Sequence, residues 1–158
     1  MKKLLLIAIC SLLLFTGCSN KSDNINNNET NTSTNEVLET KESDVKVSNL
    51  KVIISDKTYT LNLENNKTVE EFIDILPQTF NMSELNGNEK YVYLDNSLPT
   101  NPYNPKHIEA GDVMLFGDNC LVIFYKSFDT SYSYTKIGHV DNLPDLGNKD
   151  VTVTIDKN

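Results

Sequence analysis

The chain has 158 residues, 14 basic against 22 acidic, and a formal net charge of −8; every basic residue is lysine, and tryptophan is absent. With acid in excess and no arginine it lacks the clustered cations that hold phosphates, which excludes nucleic acid as a partner. An apolar content of 39% supplies the core of one modest domain and not of two.

The chain opens MKKLLLIAICSLLLFTGCSN, two lysines ahead of an apolar run from Leu4 to Phe15. That run is too short to cross a hydrocarbon core of ~30 Å at ~1.5 Å per residue. It fits the apolar region of an export signal, expected over residues 1–17. Beyond Gly17 the chain keeps 12 lysines against 22 acids, a net charge of −10. Phe15-Thr16-Gly17-Cys18 resembles the lipobox of bacterial lipoproteins, with Phe15 where that family usually carries Leu. The resemblance implies a diacylglycerol thioether on Cys18, cleavage just before it, and a domain held on the extracytoplasmic side of the cell membrane. Two acyl chains, at ~0.8 kcal/mol per buried CH2, make such an anchor essentially permanent. Cleavage after Ser19, on the small-x-small pattern Gly17-Cys18-Ser19, is the alternative. Cys10 follows Ile9, cannot serve as the lipobox cysteine, and leaves with the signal. Cys120 then stands alone and no internal disulfide is available.

Residues 18–48 are rich in Asn, Thr, Ser and Glu and contain no aromatic. Such a stretch buries too little surface to offset its ordering entropy and is expected to be a disordered spacer. The domain is expected over 49–158. LKVIIS and TYTLNL read as two strands around a turn at Asp56-Lys57. Thr68 reads as the N-cap of a short helix, VEEFIDIL, closed by Pro77 and packed through Val69, Phe72, Ile73 and Leu76. Six further strands are expected at Gln78 to Leu85, Lys90 to Leu94, Val113 to Phe116, Leu121 to Lys126, Tyr134 to Val140 and Val151 to Ile155. A mainly β fold follows: a small closed or nearly closed barrel of about eight strands with one short helix, a sandwich being the competing arrangement.

MSELNGNEKYVYL, SLPTN, EAGDVMLFGDNCLVIFYKSFDTSYSYTKIGHV and DVTVTI, in that order, are similar to the bacterial cyclophilin-like domain family. The resemblance runs from about Asn49 to Ile155 and implies a barrel like that of the cyclophilin prolyl isomerases. Those enzymes set an apolar proline pocket beside an arginine whose forked, always-charged donor favours the rotated prolyl amide, a task lysine performs poorly. The corresponding strand here, QTFNMSEL, offers Thr79, Asn81, Ser83 and Glu84. If Ile137-Gly138-His139-Val140 matches the family's Phe-Gly-x-Val, the pocket histidine falls near Tyr134, and the family's tryptophan is missing. Cyclophilin-type catalysis is therefore not expected, and no catalytic residue is assigned.

Period-two alternation turns Cys120, Val122, Phe124 and Lys126 one way and Leu121, Ile123 and Tyr125 the other, both apolar until the strand ends. That strand reads as lying between the barrel interior and a covering layer, with Cys120 a small buried residue. SFDTSYS, from Ser127 to Ser133, has no strand period. Either Phe128 and Tyr132 flank a groove and stack on a ligand, or Phe128 plugs a barrel end while Ser131 and Ser133 satisfy turn backbone. The candidate ligand-binding residues are Phe116, Tyr125, Lys126, Phe128, Tyr132 and Tyr134, the aromatics as stacking surface and Lys126 as donor or charge. His107, Cys120 and His139 lack the local spacing of a zinc site, so neither metal nor cofactor is expected.

The functional expectation is a membrane-anchored lipoprotein whose non-catalytic, monomeric barrel binds a peptide or small ligand. An exported prolyl isomerase working through lysine donors, and a module docking another envelope protein, are the alternatives. A lysine reaching the pocket marks the first; a filled groove and a contiguous apolar patch mark the second.

Overall fold

The computed structural model describes residues 47–158. The expected signal (1–17), Cys18 and the linker up to residue 46 lie outside the described residues. Val47 already packs against the core, and the Ser48 carbonyl accepts from the Leu63 amide at 2.9 Å. The described fold thus takes in two residues assigned to the spacer.

In chain order the elements are β1 (Asn49–Ile54), β2 (Lys57–Leu63), α1 (Lys67–Asp74), β3 (Gln78–Leu85), β4 (Glu89–Tyr93), β5 (His107–Ile108), β6 (Asp112–Phe116), β7 (Cys120–Phe124), β8 (Phe128–Asp129), β9 (Thr135–Val140) and β10 (Val151–Asp156). Eight of the strands close a barrel in the order β1-β10-β3-β4-β7-β6-β9-β2. Every neighbouring pair is antiparallel. The sandwich is thereby set aside, and the eight expected strands are all present within two residues of their expected ends. β5 and β8 form a separate two-stranded sheet. Its strands come from the loop after β4 and from SFDTSYS, so part of that segment is strand and not loop.

Local chemistry explains the connections. Ile54 pairs with Lys57, leaving Ser55 and Asp56 as a two-residue turn with φ of 47° and 65°. Two positive φ values in a two-residue loop match the right-handed strand twist, so the turn sits one residue earlier than Asp56-Lys57. The helix cap is also earlier. Asn66, extended at φ −150°, accepts from the Val69 amide at 3.0 Å, whereas Thr68 lies inside the helix and donates to the Pro99 carbonyl at 2.6 Å. Asn is at least as good a cap as Thr, and a cap hydroxyl already committed elsewhere cannot bond the helix.

Alternation puts Leu50, Val52 and Ile54 of β1, Phe80 and Met82 of β3, Leu121 and Ile123 of β7 and Val153 and Ile155 of β10 into one interior cluster. Val69 and Phe72 of α1, and Leu76 just beyond it, join it from one barrel end. The opposite end is closed differently. Lys90, without exposed surface, donates to the carbonyls of Gly147 (2.5 Å) and Lys149 (2.9 Å) and lies 4.6 Å from the Tyr125 ring centroid. A buried ammonium persists only where its donors are satisfied, and here they pin the loop between β9 and β10 across the barrel mouth.

Candidate functional site

β7 fixes the site because both of its faces are buried. Leu121, Ile123 and, just beyond the strand, Tyr125 join the interior cluster; Cys120, Val122 and Phe124 join a second cluster outside the barrel, with Ile108, Met114 and Tyr134. The β5–β8 sheet covers part of that outer face, placing Phe128 5.6 Å from Phe124 between ring centroids. Tyr134 stands edge-on to Phe124 at 5.5 Å and is held by reciprocal backbone bonds to Tyr103 of 3.0 Å each.

The remainder of the outer face is open. Tyr91 and Tyr93 of β4 pair with Val122 and Cys120 of β7, and Phe116 of β6 pairs with Cys120 from the other side. Directly opposed residues on one sheet face touch, so these side chains share a surface. They line a groove of about 310 Å³ with Leu85, Asn86, Glu89, Val122, Tyr132 and Tyr134. Tyr93 (66% exposed), Phe116 (45%) and Tyr132 (63%) form its rim. The rings brace one another: Phe116 is edge-on to Tyr132 at 5.9 Å and tilted against Tyr134 at 5.6 Å, and Tyr91 is edge-on to Tyr93 at 6.0 Å.

The groove offers stacking surface and little charge. Glu89 is its one ionisable carboxyl, and burial, assisted by Glu84, raises its pKa against an opposing hydrogen bond from Asn86. Burial also raises Cys120 and Tyr134, so thiol and phenol stay protonated near neutrality. A thiol pushed upward is a poor nucleophile. Neither histidine lines the groove: His107 bonds Asp129 at 2.6 Å, and His139 bonds Asp112 at 3.1 Å. His107, Cys120 and His139 thus belong to three separate environments. No lysine lines the groove either.

Of the six candidate ligand-binding residues, Phe116, Tyr132 and Tyr134 are brought together here. The other three lie elsewhere. Tyr125 is 2% exposed, faces the barrel interior and donates to Glu84 Oε1 at 3.2 Å. Lys126 pairs with Asp145 at 3.3 Å near the barrel mouth. Phe128 neither flanks the groove nor plugs a barrel end, but packs in the outer layer against Phe124. The other wall, Leu85, Asn86, Glu89, Tyr91 and Tyr93, was not anticipated. The signal available in NEKYVYL was the period-two spacing of Glu89, Tyr91 and Tyr93, which puts one acid and two phenols on a single strand face.

Among known proteins, the Cyclophilin-like family matches residues 52–156. No curated protein and no solved structure matches this chain.

Proposed function

The chain belongs to the Cyclophilin-like family, and on that premise we propose that its barrel is a binding module which holds an apolar or prolyl segment of an extended peptide in the aromatic groove without catalysing its isomerisation. The observation that carries this reading is the rim of Tyr93, Phe116 and Tyr132 above the buried floor of Cys120, Val122 and Tyr134. Exposed, mutually braced rings supply stacking area at low entropic cost, as a binding surface for prolyl or aromatic groups requires. A rotated prolyl amide calls for a cationic or forked donor aimed at it. The groove's lining contains no lysine, and the sequence contains no arginine. Lys90, the lysine of β4, turns inward to the Gly147 and Lys149 carbonyls. The open groove also argues against a purely structural module, which would fill it.

The same reading places the domain outside the cell membrane, tethered through lipid on Cys18. Its support is the sequence pattern of residues 1–18 alone. Replacing Cys18 with Ala is expected to abolish labelling by radioactive palmitate and release the protein from the membrane fraction; retention of both would overturn the anchor.

The binding reading is tested with the full chain, kept in mild detergent, and a series of blocked Ala-Xaa-Pro-Ala peptides. Prolyl isomerisation is followed by exchange spectroscopy, and binding by amide shifts in the same samples. The expected result is saturable shifts at Phe116, Tyr132 and Tyr134 with no acceleration of isomerisation. Acceleration lost on Phe116→Ala would establish an isomerase that works without arginine. Silence in both channels would remove the peptide reading.

A further inference from the structure

A second opening meets the aromatic groove at Tyr93, which lines both. It arises because the β3–β4 hairpin is zipped over only part of its length. Ser83, Glu84 and Leu85 pair with Tyr91, Lys90 and Glu89, but the pairing stops there. Val92 and Tyr93 continue along β7 alone, and Gln78 to Met82 continue along β10 alone. The cause of the divergence is beyond Tyr93, where the Leu94 amide donates to the Asn119 carbonyl and the Leu98 amide to Asp118, both at 2.7 Å. Those bonds draw the chain toward the β6–β7 turn while five register pairs hold β3 on β10.

The result is a cleft of about 440 Å³. Its floor is apolar, made by the inward side chains Phe80, Val92, Leu94 and Leu98; its rim is polar, with Thr79, Asn81, Tyr93 and Asn96 and with Asp95 as the one charged lining residue. Between Gln78 and Met82 every second residue turns its amide and carbonyl away from β10, toward this cleft. A free strand edge in an otherwise closed barrel is a template for another backbone.

We infer that the free edge of β3, from Gln78 to Met82, takes an extended peptide segment by strand addition, as a second subsite continuous with the aromatic groove. This rests on the reading of that groove as a peptide site. The occupant is an extended backbone because only a backbone repeats donors and acceptors at the spacing of a strand edge. Its side chains alternate, apolar inward onto Phe80, Val92, Leu94 and Leu98 and polar outward past Asn81 and Tyr93. Its charge is basic or neutral, since the two openings together contribute Asp95 and Glu89 and no cation. The edge is roughly 13 Å long at ~3.3 Å per residue, which suits a segment of about four or five residues next to the residue stacked in the groove.

The test uses the full chain in mild detergent and two blocked peptides of opposite order, Phe-Pro-Ala-Val-Lys-Val and Val-Lys-Val-Ala-Phe-Pro, each also made with N-methylated Val and Lys amides. One order is expected to shift Thr79, Phe80, Asn81 and Tyr93 together with Phe116 and Tyr134. N-methylation should weaken it about tenfold, the loss of one or two backbone hydrogen bonds, while the shifts at Phe116 and Tyr134 persist. Lys→Glu in the peptide should weaken it as well. Shifts confined to the groove, with N-methylated and plain peptides binding equally, would overturn the second subsite and leave the groove reading standing. Shifts confined to Thr79–Asn81 would overturn the groove reading and support the strand edge. No shift in either region would overturn both.

Discussion

Gly138 lies in β9 where the barrel wall leaves no room for a side chain. It pairs with Leu63 of β2, and a Cβ at this position would run into the Asn62 carbonyl oxygen and come within 2.9 Å of Leu61 Cδ1. Neither backbone nor buried leucine can withdraw, so Gly138→Ala is expected to cost about 2–3 kcal/mol by overpacking, read as a lowered urea midpoint. Tyr125 provides a titration. Burial foremost, and then the neighbouring Glu84, push its phenol up to about 12 from an ordinary value of 10.0. A group whose pKa rises on folding contributes stability that is present below its unfolded value and is lost as pH climbs through the folded one. Tyr125→Phe should therefore remove a fall in Tm between about pH 10 and pH 12. Lys90 works the other way and at lower pH, because burial lowers its pKa from 10.5 and its desolvation penalty fades as pH rises toward that value. The difference between wild type and Tyr125→Phe isolates the phenol from the ammonium.

At the scale of elements, the two-stranded cover of β5 and β8 depends on a few contacts. Phe128 and Ile108 pack on the outer cluster, and His107 clasps Asp129 across the pair. The hydrogen bond to Asp129, with weaker help from Glu109, holds the His107 pKa above its ordinary 6.5. By the same linkage the clasp is complete below pH 6.5 and is lost as pH rises through the folded value. Hydrogen exchange at the β8 amides should show an opening that grows as pH rises above 6.5, beyond the intrinsic rate. His107→Gln should erase that growth, and its persistence would place the pH dependence elsewhere. The barrel strands were legible because period-two runs of five to eight residues state which face is buried. The cover was not, since a pair of two-residue strands has no period to read. Its partners also lie about twenty residues apart, joined by register rather than by a turn. The cap at Asn66 was obscured for a related reason: Asn66 and Thr68 are both plausible caps, and the distant Pro99 carbonyl decides between them.

For the molecule as a whole, barrel closure joins the first strand to the last. β1 pairs with β10, and residues from seven of the eight barrel strands and from α1 share one interior cluster. Unfolding is expected to be one transition, with far-UV and near-UV circular dichroism coinciding; separated midpoints would mean that the two barrel ends open independently. Closure also explains how much of the candidate site could be read in advance. Phe116, Tyr132 and Tyr134 are near one another in the chain and fall in the groove. Glu89, Tyr91 and Tyr93 reach it only through the β4–β7 pairing, across about thirty residues of intervening chain. Tyr125 and Lys126 follow the parity of β7 and its end, which send one residue to the interior and the other to the barrel mouth.

Lys90 has a consequence for anyone handling this protein with amine chemistry. Among the described residues it is the buried lysine, while Lys57, Lys67, Lys106, Lys126, Lys149 and Lys157 are exposed. An acylating reagent will modify those six readily and reach Lys90 only after the loop of Gly147 and Lys149 lets go of it. Mass-spectrometric acylation of Lys90 against time is thus a clock, wound into the native sequence, that counts each opening of the barrel mouth without any label having been added.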